Sequence, residues 1–177
     1  MRRIVRWIIF FSAMIFVSCT STSNQNAKPD EKKIREKLIA LNKERIATEN
    51  DQIDSYINRF GYKMNTTETG LRMMVLDSGT GTKPKWMSVV KLKYKMELLD
   101  GTYCYSSDSS GVLEMKLGQS DEPTGLQEGI LKLQEGGKAL FIVPSYLAYG
   151  LTGDGNKIIG AQSLIYTIEL IKVENEK

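Results

Sequence analysis

The spacing of apolar residues changes character near residue 61. Before it, Ile34, Leu38 and Leu41, then Ile46, Ile53, Ile57 and Phe60, recur at helical spacing among Lys, Glu and Arg, which predicts an amphipathic helical arm over residues 30–60. Asp30, following Pro29, is placed to cap its first turn, and a break near Thr48 with a restart at Asn50 would divide it in two. Such an arm either lies on its own domain, docks on a partner or pairs with a second copy, and the pattern leaves these open.

Beyond Gly61 the period is two. Val90, Leu92, Tyr94, Met96 and Leu98 alternate with Lys91, Lys93, Lys95 and Glu97, as in a strand with one wet face. The three lysines are expected to serve solubility and to protect a sheet edge. Asp100-Gly101 is a hairpin dipeptide, so residues 102–106 should return as a second strand. Residues 112–117, 138–143 and 163–173 also read as strands. One stretch is helical instead: Thr124 and Gln127 form a capping-box pair, Leu126, Ile130 and Leu133 share a face, and Gly136-Gly137 supply a stop. The expected fold over residues 61–177 is therefore α+β, a curved antiparallel sheet wrapped around one short helix.

The N-terminus is built differently. Arg2, Arg3 and Arg6 precede an apolar run over residues 7–17, and no acidic residue occurs before Asp30, the layout of an export signal. Eleven residues fall well short of the roughly 20 that a membrane-spanning helix needs. The run ends in Phe16-Val17-Ser18-Cys19, which resembles a bacterial lipobox, so residues 1–18 are expected to be a lipoprotein signal peptide and Cys19 the lipidated residue. The polar residues 19–29 then form a flexible tether. The expected location is a lipid-anchored protein facing the periplasm, with the outer membrane the favoured site.

Charge and composition sharpen this. The formal charge of +3 comes from 24 Lys+Arg against 21 Asp+Glu, and loss of Arg2, Arg3 and Arg6 with the signal leaves a neutral chain, which argues against nucleic acid as a partner. With no histidine in the sequence, a Ser-His-Asp or Cys-His hydrolase is excluded, and so is the commonest zinc ligand. Two cysteines cannot build a Cys-rich metal site, and with Cys19 lipidated Cys104 is expected to be a small buried hydrophobe. Neither cofactor nor metal is expected.

Four features occur in one order: Lys93-Tyr94-Lys95 with Asp100-Gly101; Leu117-Gly118 followed by Gly125-Leu126-Gln127-Glu128-Gly129; Glu135-Gly136-Gly137-Lys138-Ala139; and Leu147-Ala148-Tyr149-Gly150. Together they resemble the FKBP family of peptidyl-prolyl cis-trans isomerases over about residues 70–173. With the lipoprotein signal and helical arm, the whole chain resembles the gliding-motility-associated isomerase lipoproteins.

The resemblance implies a cleft that rotates X-Pro bonds. That barrier, about 18–20 kcal/mol, is amide resonance, and the twisted amide is less dipolar than the planar one. An apolar cleft with a few fixed donors lowers the barrier without proton transfer. Tyr149 matches the family tyrosine whose hydroxyl bonds a carbonyl of the bound chain, Tyr94 the first pocket tyrosine, and Tyr166 a position where Phe is usual. Leu113 and Met115 fall near the pocket walls, Leu126 at the floor, Ile158 over the proline ring, and Val143 among the pocket residues.

Four positions depart from the family. Cys104 stands where a pocket Phe is usual and Tyr105 where an Asp is. Glu122-Pro123 replaces an apolar pair whose second N–H contacts ligand, and Pro123 has no N–H to give, a loss of about 0.5–1.5 kcal/mol. Reduced turnover follows. Two functional readings result: a lipid-anchored isomerase acting on proline-containing polypeptides, assisting folding of exported or outer-membrane proteins, or a catalytically weakened chaperone module of a gliding or secretion apparatus. Lipidation is tested directly: a Cys19→Ala variant should take up no labelled palmitate and leave the membrane fraction, and continued membrane fractionation without label would contradict it.

Overall fold

The computed structural model describes residues 30–175, so the signal, Cys19 and the tether lie outside the described residues. The chain divides into two units, Met1–Ala40 and Leu41–Lys177. Helix α1, Glu31–Phe60, runs through the boundary without a break. The expected interruption near Thr48 does not occur: the Thr48 hydroxyl donates to the Glu44 carbonyl at 3.1 Å, a bond made inside a continuing helix rather than a cap starting a new one. Asp30 does cap α1, accepting the N–H of Lys32 at 3.2 Å and of Lys33 at 3.5 Å. Within the first unit Ile34, Leu38 and Ile39 are exposed. No helix among the described residues is long and apolar enough to cross a membrane.

In the second unit the strands are β1 (Asn65–Thr66), β2 (Arg72–Asp77), β3 (Val89–Leu98), β4 (Tyr103–Ser106), β5 (Leu113–Lys116), β6 (Lys138–Val143) and β7 (Leu164–Glu174). The short helices are α2 (Ser107–Ser110) and α3 (Thr124–Ile130), with a 3₁₀ turn at Ser145–Leu147. The strands form one antiparallel sheet in the order β1-β2-β6-β7-β3-β4, with β5 also on β3. Tyr94 lies opposite Ile168, and Met96 opposite Tyr166. Register shifts at residues 75–77, 91–92 and 96–97 bend the strands.

Strand β3 is central, paired with β7 along one side and with β4 and β5 along the other. Its lysines therefore line a wet face and do not guard an edge; Lys91 pairs with Glu114 at 2.9 Å and Lys95 with Glu97 at 2.8 Å. Helix α3 also corrects the sequence pattern. It is capped by Pro123 with no side-chain bond at its N-terminus, and it ends at Ile130, after which tight turns at Lys132, Leu133 and Gly137 carry the chain to β6.

The sheet is covered on both faces. Helix α3 packs on one, in a core that includes Leu71, Leu92, Phe141 and Leu170. On the other, Ile53 of α1 is fully buried against Leu140, Ile142 and Ile165. This explains why β6 is an unbroken apolar run: Phe141 and Val143 face α3, while Leu140 and Ile142 face α1. Truncation by Ile53→Ala should lower stability by about 2–5 kcal/mol, read as a reduced urea midpoint at unchanged slope.

Candidate active site

The residues singled out by motif come from six elements and the loops between them. Cys104, Met115, Leu126, Val143, Ile158 and Tyr166 are buried in the core beneath α3, and Tyr94, Tyr105, Leu113 and Tyr149 are half-buried against it. Helix α3 reaches this position because its sheet-facing residues are glycines. A Cβ on Gly125 would lie 2.5 Å from a Val143 methyl, and one on Gly129 would lie 2.5 Å from the Phe141 ring. Leu126, one residue along, is thereby set into the floor.

Tyr166 is fully buried, its ring 6.5 Å from that of Tyr94 and inclined at 43°. Its hydroxyl has no hydrogen-bond partner of adequate geometry. Burial, and then the neighbouring Tyr149 and Glu122, hold this phenol well above its ordinary pKa. Burial, reinforced by the Glu122 charge, likewise pushes Tyr149 up to about 12. Both stay protonated at neutral pH, so both are available as donors. Tyr94 is held at its two ends, its N–H donating to the Ser107 hydroxyl at 3.0 Å and its phenol 3.3 Å from the Ser110 hydroxyl.

Glu122 and Pro123 precede α3; Pro123 is buried and Glu122 half-buried. Burial, and then the Asp121 charge, raise the Glu122 carboxyl above its ordinary value. Gln127 holds this segment rather than capping a helix. Its amide nitrogen donates to the carbonyls of Glu122 at 2.8 Å and Ser120 at 3.3 Å, and its oxygen accepts the N–H of Gly118 at 2.7 Å.

The loop after β6 carries a cluster that motif reading missed. Tyr105 donates to Asp154 Oδ2 at 2.5 Å, and Asp154 Oδ1 accepts the N–H of Asn156 at 2.9 Å and of Ile158 at 2.8 Å. Burial would raise the Asp154 carboxyl, but these hydrogen bonds outweigh it and hold it below the ordinary range. Lys157 donates to the Cys104 carbonyl at 2.7 Å and lies 5.0 Å above the Tyr105 ring. The loop residue Ile158 is thus fastened to β4. Asp154 thereby sets a carboxylate against the phenol at position 105, and its only sequence signal was the turn pair Asp154-Gly155. Cys104 is free and fully buried; burial, then the Asp154 charge, push its thiol up, so it packs as an apolar residue.

The result is an apolar cluster faced by the half-buried Tyr94, Tyr105 and Tyr149 phenols, with no grouping of metal ligands among the described residues. It suits a reaction that changes the polarity of a bound group without moving protons.

The chain is similar to known proteins. The family model for FKBP-type peptidyl-prolyl cis-trans isomerase matches residues 80–171. A probable FKBP-type peptidyl-prolyl cis-trans isomerase, FkpA of Neisseria meningitidis serogroup B, is 34% identical over 110 residues, 62% of this chain and 40% of the relative. The chain thus spans about two fifths of that relative's length. Among solved structures, FkpA from Escherichia coli superposes with a TM-score of 0.62 at 28% identity, covering 83% of this chain and 74% of the other. A peptidyl-prolyl cis-trans isomerase from Pseudomonas syringae pv. tomato gives 0.63 at 25% identity, covering 75% and 96%.

Because the Glu122 carboxyl is raised in the folded chain, its ionisation opposes folding at neutral pH and has no effect where it is protonated in both states. Glu122→Gln should therefore raise Tm by about 2 °C at pH 7, a small gain because the group is half in water, and the difference should vanish on acidification below about pH 4. Paired thermal melts across that range check it.

Proposed function

Since the chain belongs to the FKBP-type peptidyl-prolyl cis-trans isomerase family, we propose that it catalyses rotation about X-Pro bonds of polypeptide chains in the cleft over α3. The observation that carries this reading is the pair of phenols in an otherwise apolar floor: Tyr149 at the cleft and Tyr166 beneath it, the latter with its donor unused. A bound chain gives up water on entering, and its planar amide loses more solvation than its twisted form. Tyr149 donates to a substrate carbonyl and holds the chain in register, Ile158 and Leu126 enclose the proline ring, and Tyr94 and Tyr166 close the base. Leu113, Met115, Val143 and Cys104 complete the apolar wall. No group changes protonation state.

The finer reading is a lipid-anchored enzyme facing the periplasm. Cys19 in its Ser18-Cys19 setting supports the anchor, and the polar run after it supports a tether that lifts the domain off the bilayer. Clients at that location are exported or outer-membrane polypeptides. Exposed Ile34, Leu38 and Ile39 on the first unit support a role for the arm in contacts with a client or a second copy.

Pro123 and Cys104 favour a second reading, a weakened binding module: one gives up a backbone donor to the ligand, the other an aromatic wall. Magnetisation exchange between cis and trans signals of a proline tetrapeptide separates the two. Isomerase action predicts exchange that falls about three- to tenfold in Tyr149→Phe, the loss of one hydrogen bond. No exchange, with aggregation of an unfolded client still suppressed, would establish the binding module instead. Tyr166→Phe, which installs the residue usual at this position in the family, should keep exchange within about twofold of the wild type while raising stability by about 1 kcal/mol, because it removes a buried hydroxyl without a well-aligned partner.

A further inference from the structure

Glu49 projects from α1 and is 6% exposed, a buried carboxylate in a chain whose cleft chemistry makes no use of it. Its Oε1 accepts the backbone N–H of Ser145 at 2.6 Å and the Ser163 hydroxyl at 2.6 Å, while Oε2 accepts the Ser145 hydroxyl at 3.0 Å. Arg45, one turn earlier, donates to the same Ser145 hydroxyl at 3.2 Å. Ser145 opens the 3₁₀ turn after β6, and Ser163 immediately precedes β7. One side chain therefore grips both feet of the loop that carries Tyr149, Asp154 and Ile158.

The path to Tyr149 is short. The carbonyl of Ser145 accepts the N–H of Ala148 at 3.0 Å and of Gly150 at 2.8 Å, the two residues flanking Tyr149. Ser145 is thus held by Glu49 through its N–H and hydroxyl, and it holds the Tyr149 backbone through its carbonyl. Attachment of α1 does not require this arrangement. Ile53 already fills the hollow on the sheet, and Arg72 already donates to Asn50 at 2.9 Å and Asp54 at 3.2 Å. A buried carboxylate is costly unless fully hydrogen-bonded, and an apolar residue would serve for adhesion alone.

We propose that Glu49 is a positioning residue for the cleft: through Ser145 and Ser163 it sets the height of the Tyr149 loop, making α1 part of the catalytic apparatus rather than a spacer alone. The enzymatic half rests on the reading of Tyr149 as substrate-facing. At the far end of the same loop, Tyr105 and Lys157 bind it to β4, so the loop is held at its feet and at its tip. Loss of the feet leaves a hinged loop that presents Tyr149 at the wrong height.

The test compares Glu49→Ala, Glu49→Gln and the mild packing variant Ile53→Val in the intact chain, reading amide hydrogen exchange over residues 146–162 beside the kcat and KM of X-Pro isomerisation. Glu49→Ala is expected to speed exchange in that loop and to lower kcat about tenfold, with a much smaller change in KM. Glu49→Gln, which retains one acceptor, should fall between it and the wild type, and it takes over as the test if Glu49→Ala does not fold. Ile53→Val trims the α1 packing by a single methylene and keeps the Glu49 hydrogen bonds, so it should leave both readings near wild type. Unchanged loop exchange in the Glu49 variants would overturn the proposal, as would equal effects from Ile53→Val. A wild type without isomerase activity would refute the enzymatic reading, leaving the exchange data to decide whether Glu49 positions the loop.

Discussion

The close approach of α3 to β6 governs the rest of the molecule. Gly125 and Gly129 sit one helical turn apart and face Val143 and Phe141, which sit one strand repeat apart, so the two periodicities meet at matched points. Backbone rather than side chain touches the sheet at both. The curved sheet can therefore close around a helix only two turns long, and Leu126 and Ile130 fill the space on either side. A helix held farther out would leave Tyr166 and Leu126 lining a water-filled gap, and an amide bound there would keep its solvation. Exclusion of water from the cleft is thus decided at two glycines outside it.

Polarity inside the cleft is limited to groups that neither ionise nor transfer protons at neutral pH. Burial holds both phenols above their ordinary pKa, and Glu122 reinforces this from the rim. Rotation about an X-Pro bond, the reaction proposed for this chain, needs no histidine, since its barrier is electronic resonance within the substrate. The charged groups nearby are directed elsewhere: Asp154 is saturated by Tyr105 and two backbone N–H groups, and Lys157 by a carbonyl and two aromatic rings. They fasten the loop and leave its underside apolar.

Much of this was legible in sequence where the physics is periodic. The alternation in residues 90–98 gave β3 its faces, and the spacing of Ile53, Ile57 and Phe60 marked α1 as amphipathic. What escaped is aperiodic. Thr48 resembles a helix breaker until its hydroxyl is seen to bond back to Glu44. Thr124 and Gln127 have the spacing of a capping box, yet Gln127 serves carbonyls and an N–H in the preceding loop, because it faces the core and not the solvent. Asp154 meets Tyr105 from 49 residues away, and Glu49 reaches Ser145 across 96. No local pattern carries such pairings; on a helix rich in Lys and Glu, a buried glutamate looks like any other.

Two buried polar atoms among the described residues lack partners, Arg72 Nε and the Tyr166 hydroxyl, and the contrast between them bears on function. Arg72 spends its other nitrogens on Asn50, Gly70 and Asp54, so one idle N–H is a small defect in a working clamp. Tyr166 has a single polar group, and beside the Tyr149 phenol it makes no well-aligned hydrogen bond, so it recovers little of its desolvation cost. A phenylalanine of nearly the same shape would remove that penalty. On the proposed isomerase reading, that cost would fall if the Tyr149 phenol were drawn into alignment as a chain binds.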